Sequence, residues 1–228
     1  MATKIRIYNS ILNPDIWDSE HNIIPEVSAH LLKIGNDFYN STELKAKIKD
    51  ILLLGSSANF NWSPNSDIDI HILIDFKELN ISDKEDSRAY CDALASKWNI
   101  EHDIKLKNYN VEVYIQDITD NNRSSSIYSL NRGMWVKPPV KNKINIDKII
   151  IKSKFDDYIK KIRFIEQNPE EGAIKNLIAD IYNMREVGLS SVGDVSNENI
   201  VFKALRTKGY IKKLKLLKNR IYDKSVSL

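Results

Sequence analysis

Apolar residues in the first fifty positions recur at the three-to-four spacing of an amphipathic helix. Pro25 can open this helix, because proline is tolerated in the first helical turn. The apolar positions are Val27, Leu31, Leu32, Ile34 and Phe38. The pattern therefore predicts a helix beginning near residue 25, and we expect a second short helix after Ser41.

Two other apolar patterns follow, and both predict strands. The run Ile51–Leu54 is continuously apolar and ends at Gly55, which is typical of a strand buried on both faces. After a polar loop at 56–66, the run Asp67–Ile74 opens with alternating polar and apolar residues, the period of a strand with one buried face. The other elements predicted in this region are a helix at 84–98 and strands at 104–106 and 111–115.

The chain changes character after Pro138 and Pro139, since consecutive prolines continue neither a helix nor a central strand. Beyond residue 148 the apolar pattern is helical throughout. We therefore predict an α/β (α+β) fold in two domains. Residues 1–145 would form a small mixed sheet with flanking helices, and residues 146–228 a helical C-terminal domain. The helices predicted in the second domain are 155–167, 169–187 and 197–222.

Composition narrows the class of protein. The single cysteine, Cys91, excludes an intramolecular disulfide and a cysteine-based zinc site. No apolar run approaches the ~20 residues that span a bilayer, and residues 1–10 lack the apolar segment of a signal peptide. We expect a soluble cytoplasmic protein.

Charge is distributed unevenly along the chain. The net charge is +3, yet the segment from Lys203 to Lys224 has nine basic residues against one acid, a balance of 9 − 1 = +8. A basic segment behind an acidic body indicates a polyanionic partner such as RNA, although a solvated lysine-rich helix face gives the same pattern.

The run beginning at Asp67 has the strongest candidate chemistry. In a strand, residues two apart project from the same face about 6.6 Å apart, so Asp67 and Asp69 project together, with His71 beside them. Two neighbouring carboxylates repel each other unless a cation neutralises them. Magnesium prefers a few carboxylate oxygens together with substrate phosphates.

A phosphate-binding turn and a third carboxylate complete this pattern. Gly55 ends a strand where backbone amides can approach a phosphate, and the Ser56 hydroxyl adds a donor. Glu112, flanked by valines on a later predicted strand, can complete a two-metal site. Each feature alone has an ordinary alternative, because Asp-x-Asp can be a solvated strand face and Gly-Ser an ordinary turn.

Leu54-Gly55-Ser56, a ten-residue gap, Asp67-Ile68-Asp69-Ile70 and then Val111-Glu112-Val113 resemble the signature of the DNA polymerase β-like nucleotidyltransferase superfamily. The chain most resembles small nucleotidyltransferases of tailed bacteriophages, through Asn61-Trp62-Ser63, residues 128–135 and residues 198–210. It departs from the commoner pattern in having glutamate rather than aspartate at position 112. If the chain is phage-encoded, its place is the host cytoplasm.

The resemblance implies a site and its ligands. Asp67, Asp69 and Glu112 would be the catalytic, metal-binding carboxylates, with Mg²⁺ as the cofactor and Mn²⁺ as a substitute. A nucleoside triphosphate such as ATP would bind between the domains. The residues predicted to bind the nucleotide are Gly55, Ser56, Ser57, Asn59 and Ser66.

Three functions agree with this sequence. The first is nucleotidyl transfer to RNA or a nucleotide, which the basic segment at 203–224 favours. The second is nucleotidylation of a protein or small molecule, and the third is a module that binds a nucleotide or nucleic acid without catalysis. Tyr128 and Arg132 are further candidates, for stacking on a base and binding the triphosphate, whereas Trp135 is expected in the core.

Overall fold

The structure is a computed structural model that describes residues 9–64, 66–122, 124–141, 148–193 and 196–227. The chain divides into two units, residues 1–142 and residues 143–228. The predicted domain boundary after residue 145 lies outside the described residues.

A six-stranded mixed sheet is the centre of the first unit. Its strands are β1 (Asp50–Leu54), β2 (Ile68–Ile74), β3 (Lys105–Leu106), β4 (Tyr109–Asp117), β5 (Ile127–Ser129) and β6 (Met134–Lys137). They lie in the order β3-β4-β2-β1-β5-β6, with β2 and β4 parallel and the other neighbours antiparallel. The predicted α/β class is therefore confirmed.

Two helices cover one face of this sheet. They are α1 (Pro25–Ser41) and α2 (Lys84–Glu101), which meet where the rings of Phe38 and Trp98 lie 5.5 Å apart. Beneath them, Ile68, Ile70 and Ile72 are fully buried, as the alternation of β2 predicts. Gly35 lets α1 approach the sheet closely, since a Cβ there would lie 3.3 Å from Ile51.

The side chain of Asn99 in α2 forms hydrogen bonds with the backbone of strand β4. The Asn99 side chain donates to the Val113 carbonyl at 2.9 Å and accepts from the Val113 amide at 3.0 Å. These bonds satisfy backbone groups of a strand whose outer neighbour, β3, is two residues long. The strand bearing Glu112 is therefore held on both edges.

The predicted short helix after Ser41 is wrong. Residues 42–49 have no helical turn, and Glu43 adopts a left-handed φ of 58° that a helix does not accommodate. The Tyr39 hydroxyl instead donates to the carbonyl of Ala46 at 2.7 Å. This contact fixes an irregular connection into β1.

In its described residues the second unit contains four helices, and one prediction about them is corrected. They are α3 (Lys148–Gln167), α4 (Glu171–Ser191), α5 (Asn197–Thr207) and α6 (Tyr210–Val226). The single helix predicted at 197–222 is broken at Gly209, which has a left-handed φ of 77°. Glycine commonly ends a helix in this conformation because it has no Cβ to clash. In the described ranges, no helix has the length and apolarity needed to cross a membrane.

Candidate functional site

The register of three strands brings the predicted site residues into one row. Leu54, the last residue of β1, pairs with Asp69 of β2, and Asp69 pairs with Glu112 of β4. Gly55 therefore begins its turn next to Asp69, and Asp67 lies one residue before β2. Residues far apart in sequence, 55, 69 and 112, become neighbours across the sheet.

These carboxylates lie on the sheet face opposite the helices. Along β2, Asp69 and His71 are half-buried while the isoleucines between them are buried. Along β4, Glu112 and Tyr114 alternate with buried residues in the same way. In the parallel register His71 pairs with Tyr114, so the four side chains form a two-by-two polar patch.

The conformation of Gly55 depends on its missing side chain. Its φ of 72° and ψ of −156° lie in a region that L-residues rarely adopt. A Cβ there would also overlap Oδ2 of Asp69 and lie 3.2 Å from its carboxyl carbon. Position 55 therefore accommodates glycine but no residue with a side chain while the Asp69 carboxylate keeps its place.

The polar loop after Gly55 is tied together by serine hydroxyls. Ser56 to Ala58 form a short 3-10 turn, and the Ser56 hydroxyl donates to Ser66 Oγ at 2.9 Å. Ser66 Oγ also accepts the backbone N–H of Ser63 at 2.9 Å. Gly55 and Ser56 are half-buried, so the turn presents its first residues beside the carboxylates.

Two of the predicted nucleotide-binding residues have their side chains inside the loop. The hydroxyl of Ser57 is buried and donates to the Asp67 carbonyl at 2.6 Å, while Trp17 donates to the Ser57 carbonyl at 2.8 Å. The Asn59 side chain is buried and donates to Ser125 Oγ at 2.5 Å. Ser57 therefore ties the loop to the residue before β2, and Asn59 ties it to the segment before β5. Their predicted contact with a nucleotide remains a prediction.

Glu112 has a hydrogen-bond partner on its own strand. The Tyr114 hydroxyl donates to Glu112 Oε2 at 2.5 Å. Burial raises the pKa of Tyr114 well above its ordinary value, and the bond to Glu112 and the charges of Glu112, Asp69 and Asp67 raise it further. The charges of all three carboxylates therefore act on the Tyr114 hydroxyl.

His71 is held as a neutral ring. Burial lowers the pKa of His71 to about 4, and the opposing effect of its hydrogen bond to Gln116 is smaller. Nδ1 lies 3.0 Å from Gln116 Oε1, and the ring stacks on Tyr114 with centroids 4.9 Å apart. His71 thus supports the Tyr114 ring, a role that its sequence position alone did not show.

The donor chemistry of the patch together with Asp67, which lies just before β2, fits a hard divalent cation. Asp67, Asp69 and Glu112 supply only carboxylate oxygens, the ligands that Mg²⁺ uses alongside water and substrate phosphates. Within the described residues, no three His, Cys, Asp or Glu side chains form a ready-made metal site. Mg²⁺ held by a few carboxylates usually keeps waters or substrate phosphates as its other ligands.

Tyr128 and Arg132, the two secondary candidates, make contacts that stabilise the fold of the first unit. Tyr128 is buried and its ring centroid lies 5.0 Å from that of Trp17, so it is not a platform for a base. Arg132 binds Asp50 through Nε at 3.1 Å and a terminal nitrogen at 2.9 Å. The expectation that Trp135 packs against the core is confirmed by its stacking on Trp17 at 4.5 Å.

The residue that the sequence analysis missed is Tyr114. Its position could have been found, because Glu112, Tyr114 and Gln116 follow the period of two that places all three on one face of β4. The same period places Asp67, Asp69 and His71 together on the earlier predicted strand. The hydrogen bond itself depends on side-chain conformation and has no sequence signature.

Comparisons with known proteins add little to this geometry. No protein-family model and no curated protein sequence matches the chain. One solved structure similar to the chain is a spectinomycin adenyltransferase from Enterococcus faecialis, determined with ATP and spectinomycin. The two are 12% identical over 86% of this chain and 98% of that one, with a TM-score of 0.24. A similarity at this level carries no argument about this chain.

Proposed function

We propose that this protein is a nucleotidyltransferase, which moves a nucleoside monophosphate from a nucleoside triphosphate to an acceptor hydroxyl. The observation that carries the proposal is the register Leu54–Asp69–Glu112, which sets a glycine-serine turn and two strand carboxylates side by side. A turn that can receive phosphate beside carboxylates that can receive a cation suits a triphosphate substrate. The resemblance of these segments to the polymerase β-like signature agrees with it.

Each part of the site has a task in this reaction. The backbone after Gly55 would hold the triphosphate, and the Ser56 hydroxyl would join it by turning its one proton from Ser66 Oγ to a phosphate oxygen. Asp67, Asp69 and Glu112 would hold Mg²⁺, which when bound stabilises charge on the phosphates and lowers the pKa of an attacking hydroxyl. The acceptor oxygen bonds to the α-phosphorus and its proton passes to solvent water. The bond from the α-phosphorus to the oxygen that bridges it to the β-phosphorus breaks, and pyrophosphate departs with that oxygen.

For the acceptor we favour a nucleic acid, because α6 exposes lysines along its length. Nucleotidylation of a protein or small molecule is the alternative, and the polar patch itself does not distinguish them. A module that binds nucleotide without catalysis is the third possibility, and metal-dependent turnover separates it from the other two.

The test is incubation with each α-labelled triphosphate and Mg²⁺, first with RNA and then with cell extract. We expect label in a macromolecule or small molecule and release of pyrophosphate. Asp67→Asn and Asp69→Asn should abolish transfer, while Asp75→Asn, which changes a carboxylate just beyond β2, should not. Transfer retained within a few-fold in Asp67→Asn and Asp69→Asn, with all three proteins folded, would exclude the proposed site.

A further inference from the structure

Further contacts hold the Tyr114 side chain in the position from which it donates to Glu112. The Tyr114 ring stacks on His71 at an interplanar angle of 30°. His71 is fixed in turn by its 3.0 Å hydrogen bond to Gln116, whose Oε1 also accepts from the Asn122 side chain at 3.4 Å. Tyr114 therefore has little freedom to withdraw its hydroxyl from Glu112.

This support matters because a glutamate side chain is otherwise mobile. Glutamate has three rotatable bonds, and a ligand that must be ordered when its cation arrives binds that cation less tightly. A carboxylate offers about four lone-pair positions, so a hydroxyl bound at Oε2 leaves capacity for a cation. Tyr114 can thus order Glu112 without consuming it.

We propose that Tyr114 is a positioning residue, which holds the Glu112 carboxylate beside Asp69 and thereby sets the affinity of the site for a divalent cation. The inference rests on the proposed function, since it assigns a role toward the same cation. It extends that function by separating the residues that bind the cation from the residue that orders one of them. Partners of metal ligands in other proteins typically change metal affinity 10–100-fold when removed.

The test is Tyr114→Phe in the full chain, which removes the hydroxyl and keeps the ring that stacks on His71. Mn²⁺ titration followed by electron paramagnetic resonance, with a non-hydrolysable triphosphate present, reports cation affinity without turnover. We expect Mn²⁺ binding about 10–100-fold weaker than wild type. The matched control is Tyr109→Phe on the same strand, whose hydroxyl donates to Asp15 at 3.3 Å on the other face of the sheet, and which should bind Mn²⁺ like wild type.

A double-mutant cycle excludes a general structural effect. If Tyr114 acts through Glu112, Tyr114→Phe should weaken Mn²⁺ binding in the wild type and add nothing in a Glu112→Gln background. An equal fold-loss in both backgrounds, or equal affinity in Tyr114→Phe and Tyr109→Phe, would overturn the positioning role. Mn²⁺ binding that is unchanged by Asp67→Asn and Asp69→Asn would instead overturn the proposed function itself.

Discussion

Gly55 has a left-handed backbone beside the Asp69 carboxylate, and both facts bear on the site. The conformation allows the chain to turn out of β1, and the missing Cβ leaves room for a carboxylate oxygen. A substitution there imposes two separate costs. One is the backbone strain of a non-glycine residue with positive φ, and the other is displacement of Asp69.

We predict that Gly55→Ala lowers turnover about 100-fold, the loss that a displacement near 1 Å can cause at a reacting centre. The backbone strain should also lower the free energy of unfolding by about 1–3 kcal/mol. Steady-state kinetics and urea unfolding measure the two effects separately.

Gly133→Ala is the matched control for this prediction. Gly133 also has a left-handed φ, 62°, but a Cβ there meets nothing within 4 Å. It should show a similar loss of stability with wild-type turnover. Equal turnover in the two variants would mean that the space beside Asp69 is not needed for catalysis.

Glu112 allows a second prediction at this scale. In a two-metal site, Glu112 would hold the cation that activates the attacking hydroxyl, rather than the cation that binds the triphosphate. Glu112→Gln should therefore leave triphosphate affinity little changed and reduce turnover by about 10²-fold or more. Calorimetric titration with a non-hydrolysable triphosphate and single-turnover kinetics give the two values. A parallel loss of affinity and turnover would contradict this division of roles.

At the scale of elements, local pattern predicted the strands β1 to β4 and missed the hairpin of β5 and β6. Strand β1 is buried at every residue, and β2 and β4 are buried at every second residue. The spacing of apolar residues along each strand predicts this burial. The hairpin of β5 and β6 was missed, because its strands are three and four residues long and have too few positions for a period to emerge. Its signal was Asn131-Arg132-Gly133, a glycine-containing turn between two short runs that each contain one aromatic residue.

Pairing between strands was beyond the sequence pattern. The alternation in β2 predicted that Asp69 and His71 share a face. No local sequence pattern predicted that Asp69 would pair with Glu112 in the sheet register. That register depends on α2 crossing between two parallel strands and on long-range packing. Glu112 was a candidate because valines flank it on a later predicted strand, and the family resemblance then agreed with that choice. The bond from Tyr114 depends on side-chain conformation.

Packing of α4 on the start of α5 gives a prediction about stability. A Cβ at Gly188 would overlap the Ser196 hydroxyl and lie 2.6 Å from Cβ of Glu198. Gly188→Ala should therefore destabilise the protein by about 1–3 kcal/mol, the usual cost of overpacking, although alanine favours a helix. Urea unfolding monitored by circular dichroism measures the change.

Gly172→Ala, in the same helix, is the control. The Cβ there would meet only a carboxylate oxygen of Glu170 at 3.6 Å, an ordinary contact. This variant should be between neutral and about 1 kcal/mol more stable, because alanine has the higher helix propensity. A Gly188→Ala protein as stable as Gly172→Ala would show that α5 moves aside without cost.

At the scale of the whole molecule, the two units carry net charges of opposite sign. Residues 143–228 contain 18 basic and 11 acidic residues, a balance of 18 − 11 = +7, so residues 1–142 carry +3 − 7 = −4. Within the second unit, α6 buries Ile211 and Leu214, leaves Leu217 and Ile221 half-buried and exposes Lys212, Lys213 and Lys215. The basic charge is therefore on a helix surface and not in the core.

This surface gives the last prediction, that nucleic acid binds along α6 mainly through its phosphates. Lys212, Lys213 and Lys215 are the lysines to change, and replacing all three with glutamine should flatten the slope of log K against log salt by about two to three units. Fluorescence anisotropy with a labelled RNA over a salt series measures the slope. Triphosphate binding should be unaffected, since the proposed nucleotide site uses residues of the first unit.

The control removes equal charge elsewhere. Lys33, Lys97 and Lys105 each lie beside an acidic residue in the first unit, and changing them to glutamine also lowers the net charge by three. Because Lys213 contacts Glu166 at 2.7 Å and Lys215 lies over the Tyr182 ring at 5.3 Å, urea unfolding must first show that the α6 variant is folded. If RNA fails to bind wild type at low salt, or if both triple variants reduce the slope equally, the reason for preferring a nucleic-acid acceptor is lost. A protein or small-molecule acceptor then becomes the better hypothesis, because only the basic surface of α6 distinguishes between them.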